Sequence, residues 1–179
     1  MESNKLLRVP TALDWITLLL PLVLAVHNLD EYAKHEDFVD AYYPRLSRKL
    51  TARPVIRNAV VLLTVSVALL AGFSYVYNDD VLRTICTVAI FALMLNAISH
   101  CVLSLKRRRI LPGTLSAVLL VLPYSVVAIM ITHSESGDSY SHLALLAALG
   151  ALTVPLAIAL FIGLGYGISR WVRVESKHP

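Results

Sequence analysis

The sequence predicts an all-α integral membrane bundle of five transmembrane helices, and three observations predict it. Hydrophobic residues make up 57% of the chain and charged residues 16%, with a mean hydropathy of +0.68, outside the soluble range. The apolar residues are gathered into five runs, and several of these approach or exceed the ~20 residues a spanning helix needs. Lys and Arg collect in alternate connections between those runs. A soluble core of this size does not need so many long apolar runs, so residues 1–179 read as one membrane domain with no soluble module.

The first span is expected over about 12–29, with Pro21 in its middle. The second covers about 55–77 and the third about 81–105. The fourth covers about 111–132 and contains Pro123, and the fifth covers about 142–168 with Gly150 and Pro155 inside. Proline and glycine are tolerated in membrane helices where neighbours re-satisfy the backbone, so these positions read as kinks rather than breaks. Between the first two spans, residues from about 30 to 54 mix acids, bases and aromatics. That stretch is expected to lie along the interface with Tyr42, Tyr43 and Leu46 as anchors, and Pro44 argues against one straight helix through it.

Charge sets the orientation. The 31–57 connection carries Lys34, Arg45, Arg48, Lys49, Arg53 and Arg57. Lys106-Arg107-Arg108-Arg109 and the tail residues Arg170, Arg173 and Lys177 fall on the same side, thirteen basic residues in all. Only Lys5, Arg8 and Arg83 fall on the other. The positive-inside rule then predicts N-out and C-in. The basic run at 106–109 reads as a topology anchor that meets anionic headgroups, not as a nucleic-acid surface. A signal-peptide reading of the first span fails for want of a small-residue cleavage site near Val26-His27-Asn28. Cys86 and Cys101 lie ~22 Å apart along one helix and cannot pair within a subunit.

The feature that points to chemistry is His27-Asn28-Leu29-Asp30-Glu31, at the end of the first span. Ionisable groups near hydrocarbon depth are expensive and normally face an interior. His27 and Glu31 are four apart and Asp30 is three from His27, so all three are expected on one helix face, with His35 a further candidate if the helix continues. Asn96 and His100 are also four apart, near the matching end of the third span. Counted along the helices, both histidines lie ~10 Å from the same boundary, so they can meet if the first and third spans are neighbours.

This constellation permits three readings. Imidazoles with carboxylates suit zinc, iron or manganese, with His27, Asp30, Glu31 and His100 as ligands and an open position for substrate. The same groups without metal can run acid–base chemistry, because burial and neighbouring carboxyls separate protonation states, with Asn96 orienting. A polar brace between helices is the third.

Other signals are weaker. Pro112-Gly113-Thr114 opens the fourth helix, and its free amides can take an anionic group. Asn58 and Tyr124 either line a pocket or merely pack. Gly163-Leu164-Gly165-Tyr166-Gly167 reads as a small-residue packing stretch, and its GxxxG spacing at Gly163 and Gly167 offers a face for a homodimer. His133 and His142 read as solvated loop residues, and His178 falls in the tail.

The His27-Asn28-Leu29-Asp30-Glu31 run resembles the signature of the HXXEE-domain membrane proteins, five-span proteins with an additional characteristic Asn and His. Asn96 and His100 are the natural matches for that pair, and Pro112-Gly113 resembles the stretch that follows. Asp30 stands where the family's name has Glu: the charge is kept but the reach is one methylene shorter. The resemblance supports a site at His27, Asp30, Glu31, Asn96 and His100, and it implies an enzyme without naming a substrate. A looser architectural analogy is to five-span sterol isomerases, which place His and Glu in a membrane pocket.

The expectation is therefore a cell-membrane enzyme with a polar pocket between the first and third spans, near the cytoplasmic face. Its partners would be membrane lipid and a lipidic or apolar small molecule. Its chemistry would be either metal-dependent hydrolysis or oxidation–reduction, or acid–base isomerisation or cyclisation. The alternatives are a small transporter or ligand-binding module and a structural partner subunit. The outer halves of the spans show no chain of ionisable groups, which counts against transport.

Overall fold

The computed structural model describes residues 9–175, and side chains through residue 172. Lys5, Arg8, Lys177, His178 and the Arg173 side chain, which enter the charge count or the candidate sites above, lie outside what is described. Among the described residues there is no strand. The elements are α1 (Ala12–Ala33), α2 (His35–Tyr42), α3 (Arg53–Tyr77), α4 (Asp80–Arg107), α5 (Thr114–Ser136) and α6 (Tyr140–Glu175). All but α2 are long and apolar enough to cross a membrane.

Local chemistry explains most of the boundaries. Thr11 and Asp14 form a reciprocal capping box at the start of α1. The Asp79 side chain accepts the Leu82 N–H at 2.9 Å and caps α4. The helices α3, α4 and α5 each end in a left-handed residue, Asn78, Arg108 and Gly137, which turns the chain back. Pro123 lacks an N–H, and its ring clashes with the carbonyl four residues back. The helix absorbs this as a π-helical segment over Ala117–Val121, with the Leu122 N–H reaching Ala117.

Side by side, α1 packs on α3, α3 on α6, α6 on α4, α4 on α5 and α5 on α1. One apolar core joins α1, α4 and α5 through Leu20, Leu24, Ile90, Leu93 and Val121. A second joins α3 and α6 through Val55, Ile56, Ala59 and Ile162. Large apolar side chains such as Leu22, Leu69, Leu119 and Leu156 face outward, as expected for helices whose solvent is lipid. At the hairpin end of the bundle, Arg83 reaches the buried Asp14 at 3.5 Å and ties α4 to α1. At the other end, α2 lies over the bundle with Phe38 and Ala41 buried, and Arg107 donates to the Ala41 carbonyl at 2.9 Å.

The glycine-rich stretch of α6 divides by face. A Cβ on Gly165 would sit 2.5 Å from the Val55 carbonyl oxygen and 3.0 Å from the Ala59 nitrogen, whereas Gly163 and Gly167 have nothing within 4 Å. Gly165 thus sets the close approach of α3 and α6, and the GxxxG pair faces outward. Gly165→Ala is expected to cost about 1–3 kcal/mol through overpacking. Gly163→Ala and Gly167→Ala should be neutral or gain about 0.5–1 kcal/mol by lowering backbone entropy. Thermal unfolding of the three variants in detergent checks the opposite signs.

Candidate functional site

Helix geometry decides which members of the acidic run can meet. Successive residues are separated by about 100° around the axis, so Asp30 and Glu31 cannot both face the direction His27 faces. Glu31 turns inward with His27, and α4 brings His100 against them. Glu31 Oε1 lies 3.2 Å from His27 Nε2 and 2.7 Å from His100 Nε2. The imidazoles meet edge to face with centroids 5.0 Å apart. His27 is fully buried, His100 is 2% exposed and Glu31 8%.

The far side of each ring meets a hydrogen-bonding partner. His100 Nδ1 faces the Pro112 carbonyl at 3.1 Å and the Tyr42 hydroxyl at 2.6 Å. A carbonyl only accepts, and the Tyr42 hydroxyl also reaches Pro112 at 3.3 Å. With the Tyr42 hydrogen on Pro112, His100 Nδ1 carries a hydrogen; with it on Nδ1 across the shorter contact, His100 Nε2 carries the hydrogen and donates to Glu31. His27 Nδ1 lies 2.9 Å from Ser116 Oγ, whose own hydrogen goes to Asp30 Oδ2 at 2.8 Å or the Gly113 carbonyl at 3.1 Å. Ser116 Oγ must then accept from His27 Nδ1. When each ring carries its hydrogen on Nδ1, both aim an Nε2 lone pair at Glu31 Oε1. Asn96 Nδ2 lies 3.1 Å from His27 Nε2 and 3.3 Å from His100 Nε2, the position of a donor to both lone pairs.

Three donor atoms this close can share a proton across the 2.7 Å Glu31–His100 contact or together take a metal ion. The 3.2 Å Glu31–His27 separation matches the ~3.3 Å edge of a tetrahedron built on bonds of about 2.0–2.1 Å, the 2.7 Å Glu31–His100 contact is shorter, and all three donor atoms lie within 4.8 Å of one another. Two imidazoles and one carboxylate suit zinc, iron or manganese and leave a position open. Ligating histidines characteristically donate their other N–H to a carbonyl, carboxylate or water; His100 Nδ1 faces the Pro112 carbonyl, and His27 Nδ1 reaches the Asp30 carboxylate through the Ser116 hydroxyl.

Asp30 and His35 are not in this group. Asp30 accepts from the Ser116 N–H at 3.2 Å and from the Ser116 hydroxyl, so it supports His27 through Ser116 instead of pointing at the centre. It is also the anion expected at the start of the fourth span, supplied by the protein itself. His35 Nε2 lies 2.9 Å from the Thr51 carbonyl and holds the interfacial loop. Tyr42, expected to be a membrane anchor, points inward onto His100. Burial, with the Glu31 charge second, pushes its hydroxyl up to about 12, so it stays a neutral donor. Burial raises the Tyr43 hydroxyl as well. Asn58 donates to Ser169 at 3.0 Å and Tyr124 to the Ile16 carbonyl at 2.8 Å, so both pack.

Ser116 and Tyr42 complete the site without a sequence signal for that role, and Gly113, singled out in the sequence within the Pro112-Gly113-Thr114 helix start, joins them. Gly113 has φ +81°, and a Cβ there would sit 2.7 Å from His100 Cε1 and 2.9 Å from Glu31 Cγ. Only glycine lets the turn before α5 lie this close.

The pocket is wider than a gap between the first and third spans. The polar centre forms one end of a cavity of about 360 Å³ that continues between α1, α3, α4 and α6, separating the two apolar cores. Phe38, Tyr42 and Tyr43 line it at the α2 end.

Fold and site together define a multi-pass helical membrane protein with a buried imidazole–carboxylate centre. The chain belongs to the family described as "Protein of unknown function with HXXEE motif", whose model matches residues 18–128. That stretch runs from α1 into α5 and includes every residue of the centre. No curated protein and no solved structure matches the chain.

Proposed function

We propose that this protein is an integral-membrane enzyme that holds a divalent metal at His27, Glu31 and His100 and works on a substrate drawn from the apolar phase. The observation that carries this reading is the convergence of three donor atoms whose two rings are each oriented from behind by an acceptor. A metal in this position supplies a Lewis acid or an activated water. The chain's own residues do the rest. Ser116 and Asp30 hold His27, while Pro112 and Tyr42 hold His100. Asn96, whose amide nitrogen faces both Nε2 atoms, would yield them to a metal and could then orient a substrate oxygen. Lys and Arg crowd the connections at the α2 end, which supports a site near the cytoplasmic face of the cell membrane.

The 2.7 Å Glu31–His100 contact favours one second reading, acid–base catalysis with a proton shared between these groups. Metal content by mass spectrometry separates the two. Detergent-purified wild type is expected to carry near-stoichiometric metal, and His27→Ala, His100→Ala and Glu31→Gln are expected to lose it while remaining folded. Folded wild type that stays metal-free after incubation with zinc, iron and manganese would leave the acid–base reading standing. Glu31→Gln protein that fails to fold, beside metal-free wild type, would instead identify a packing brace.

A further inference from the structure

The cavity beside the centre has a shape of its own. Glu31, Asn96 and His100 form one end, and Leu20, Leu70 and Ala89 lie toward the other. From Leu20 to Glu31 along α1, and from Ala89 to His100 along α4, is eleven residues in each case, or ~16 Å of helix. Two opposing walls therefore give the same length.

Length sets what the slot takes. An extended chain advances about 1.2 Å per backbone bond, so ~16 Å takes about 13 chain atoms, or about 12 carbons and a head oxygen. The lining is polar at the Glu31 end and almost wholly apolar beyond it, which matches a molecule with one polar head and one tail.

We propose that the ligand of this slot is a single-chain amphiphile of about 12 carbons, its head oxygen at Glu31, Asn96 and His100 and its tail running toward Leu20 and Ala89. This names the substrate class for the enzyme reading above and rests on it for the head group's fate. Such a chain leaves one apolar phase for another, so selectivity by length comes from fit: shorter chains leave voids and longer ones overpack.

The test uses the full chain in nanodiscs of two-chain phosphatidylcholine, avoiding detergents that are themselves single-chain amphiphiles. Straight-chain primary alcohols from about 6 to about 18 carbons are titrated as radiolabelled probes, spanning the predicted length. Saturable one-to-one binding is expected, strongest near about 12 carbons and at least tenfold weaker at both extremes. Ala89→Phe should move the optimum to a shorter chain, and Ala89→Val should move it less. Binding that does not vary with length, or a sterol that displaces the best alcohol at equal concentration, would overturn the proposal on wild type alone. Metal content is read on the same samples. A length optimum in metal-free protein would overturn the metal reading and keep the slot. Flat length dependence in metal-bearing protein would overturn the slot and keep the centre.

Discussion

Gly113→Ala is expected to abolish the metal binding proposed for the centre and to destabilise the protein by about 2–5 kcal/mol, adding left-handed strain of about 1–2 to overpacking of about 1–3. The strain follows from φ +81°. The overpacking follows from where the new methyl would go, 2.7 Å from His100 Cε1, 2.8 Å from its Nδ1 and 2.9 Å from Glu31 Cγ. None of these atoms is the loose end of a side chain. The His100 ring is held by Pro112 and Tyr42, and Glu31 is held by both rings. The methyl must displace the ligands or the turn. Gly137 supplies the control: its φ is +67°, yet a Cβ there meets nothing within 4 Å. Gly137→Ala should therefore show the strain alone and keep its metal. Thermal unfolding and metal analysis of both variants check this, and equal losses of stability with metal retained would contradict the close approach.

The fold was legible because the spans are written as apolar runs, and all five are present. Their ends were less legible. The first was expected to stop at 29 but continues to Ala33, and the last extends past Ile168 to Glu175. Backbone hydrogen bonding does not stop where hydrophobicity stops, and Asp30 and Glu31 belong to the same helix as the apolar run before them. Within the site, His27, Glu31, Asn96 and His100 were legible from four-residue spacing at matching depth. The expectation that Asp30 shares their target treated three-apart and four-apart neighbours as equivalent, whereas the two lie on opposite sides of His27. Tyr42 and Ser116 could not be read as site residues, and Gly113 was legible only as part of the Pro112-Gly113-Thr114 helix start. Each enters through a contact between elements distant in sequence, and a lone Ser at a helix start has an ordinary local explanation. The cavity was equally hidden, because it arises where two cores fail to merge and the lining residues look like any other apolar helix face.

Ser116→Ala is expected to weaken the proposed metal binding about 10–100-fold, the range for lost partners of ligating histidines. Ser116 Oγ both accepts from His27 Nδ1 and donates to Asp30. Without it, the buried His27 ring has no acceptor behind it, and its proton can move to Nε2. There it donates to Glu31 and closes the lone pair that the metal needs. Asp30 keeps only the Ser116 backbone N–H. Ser116→Thr retains the hydroxyl and should recover most of the affinity, which a purely steric role for the residue would not predict. Chelator competition gives the affinities directly. Stability supplies an independent reading: a 10–100-fold loss of affinity lowers metal-linked stabilisation by about 1.4–2.7 kcal/mol at fixed saturating metal. If Ser116→Ala lowers the stability of metal-free and metal-loaded protein equally and leaves the affinity unchanged, the hydroxyl is a packing contact and the tautomer argument for His27 fails. If the loss is confined to the loaded form, Asp30 and Ser116 act on the metal through His27, and the acidic run has divided its carboxylates between holding the ion and holding its ligand.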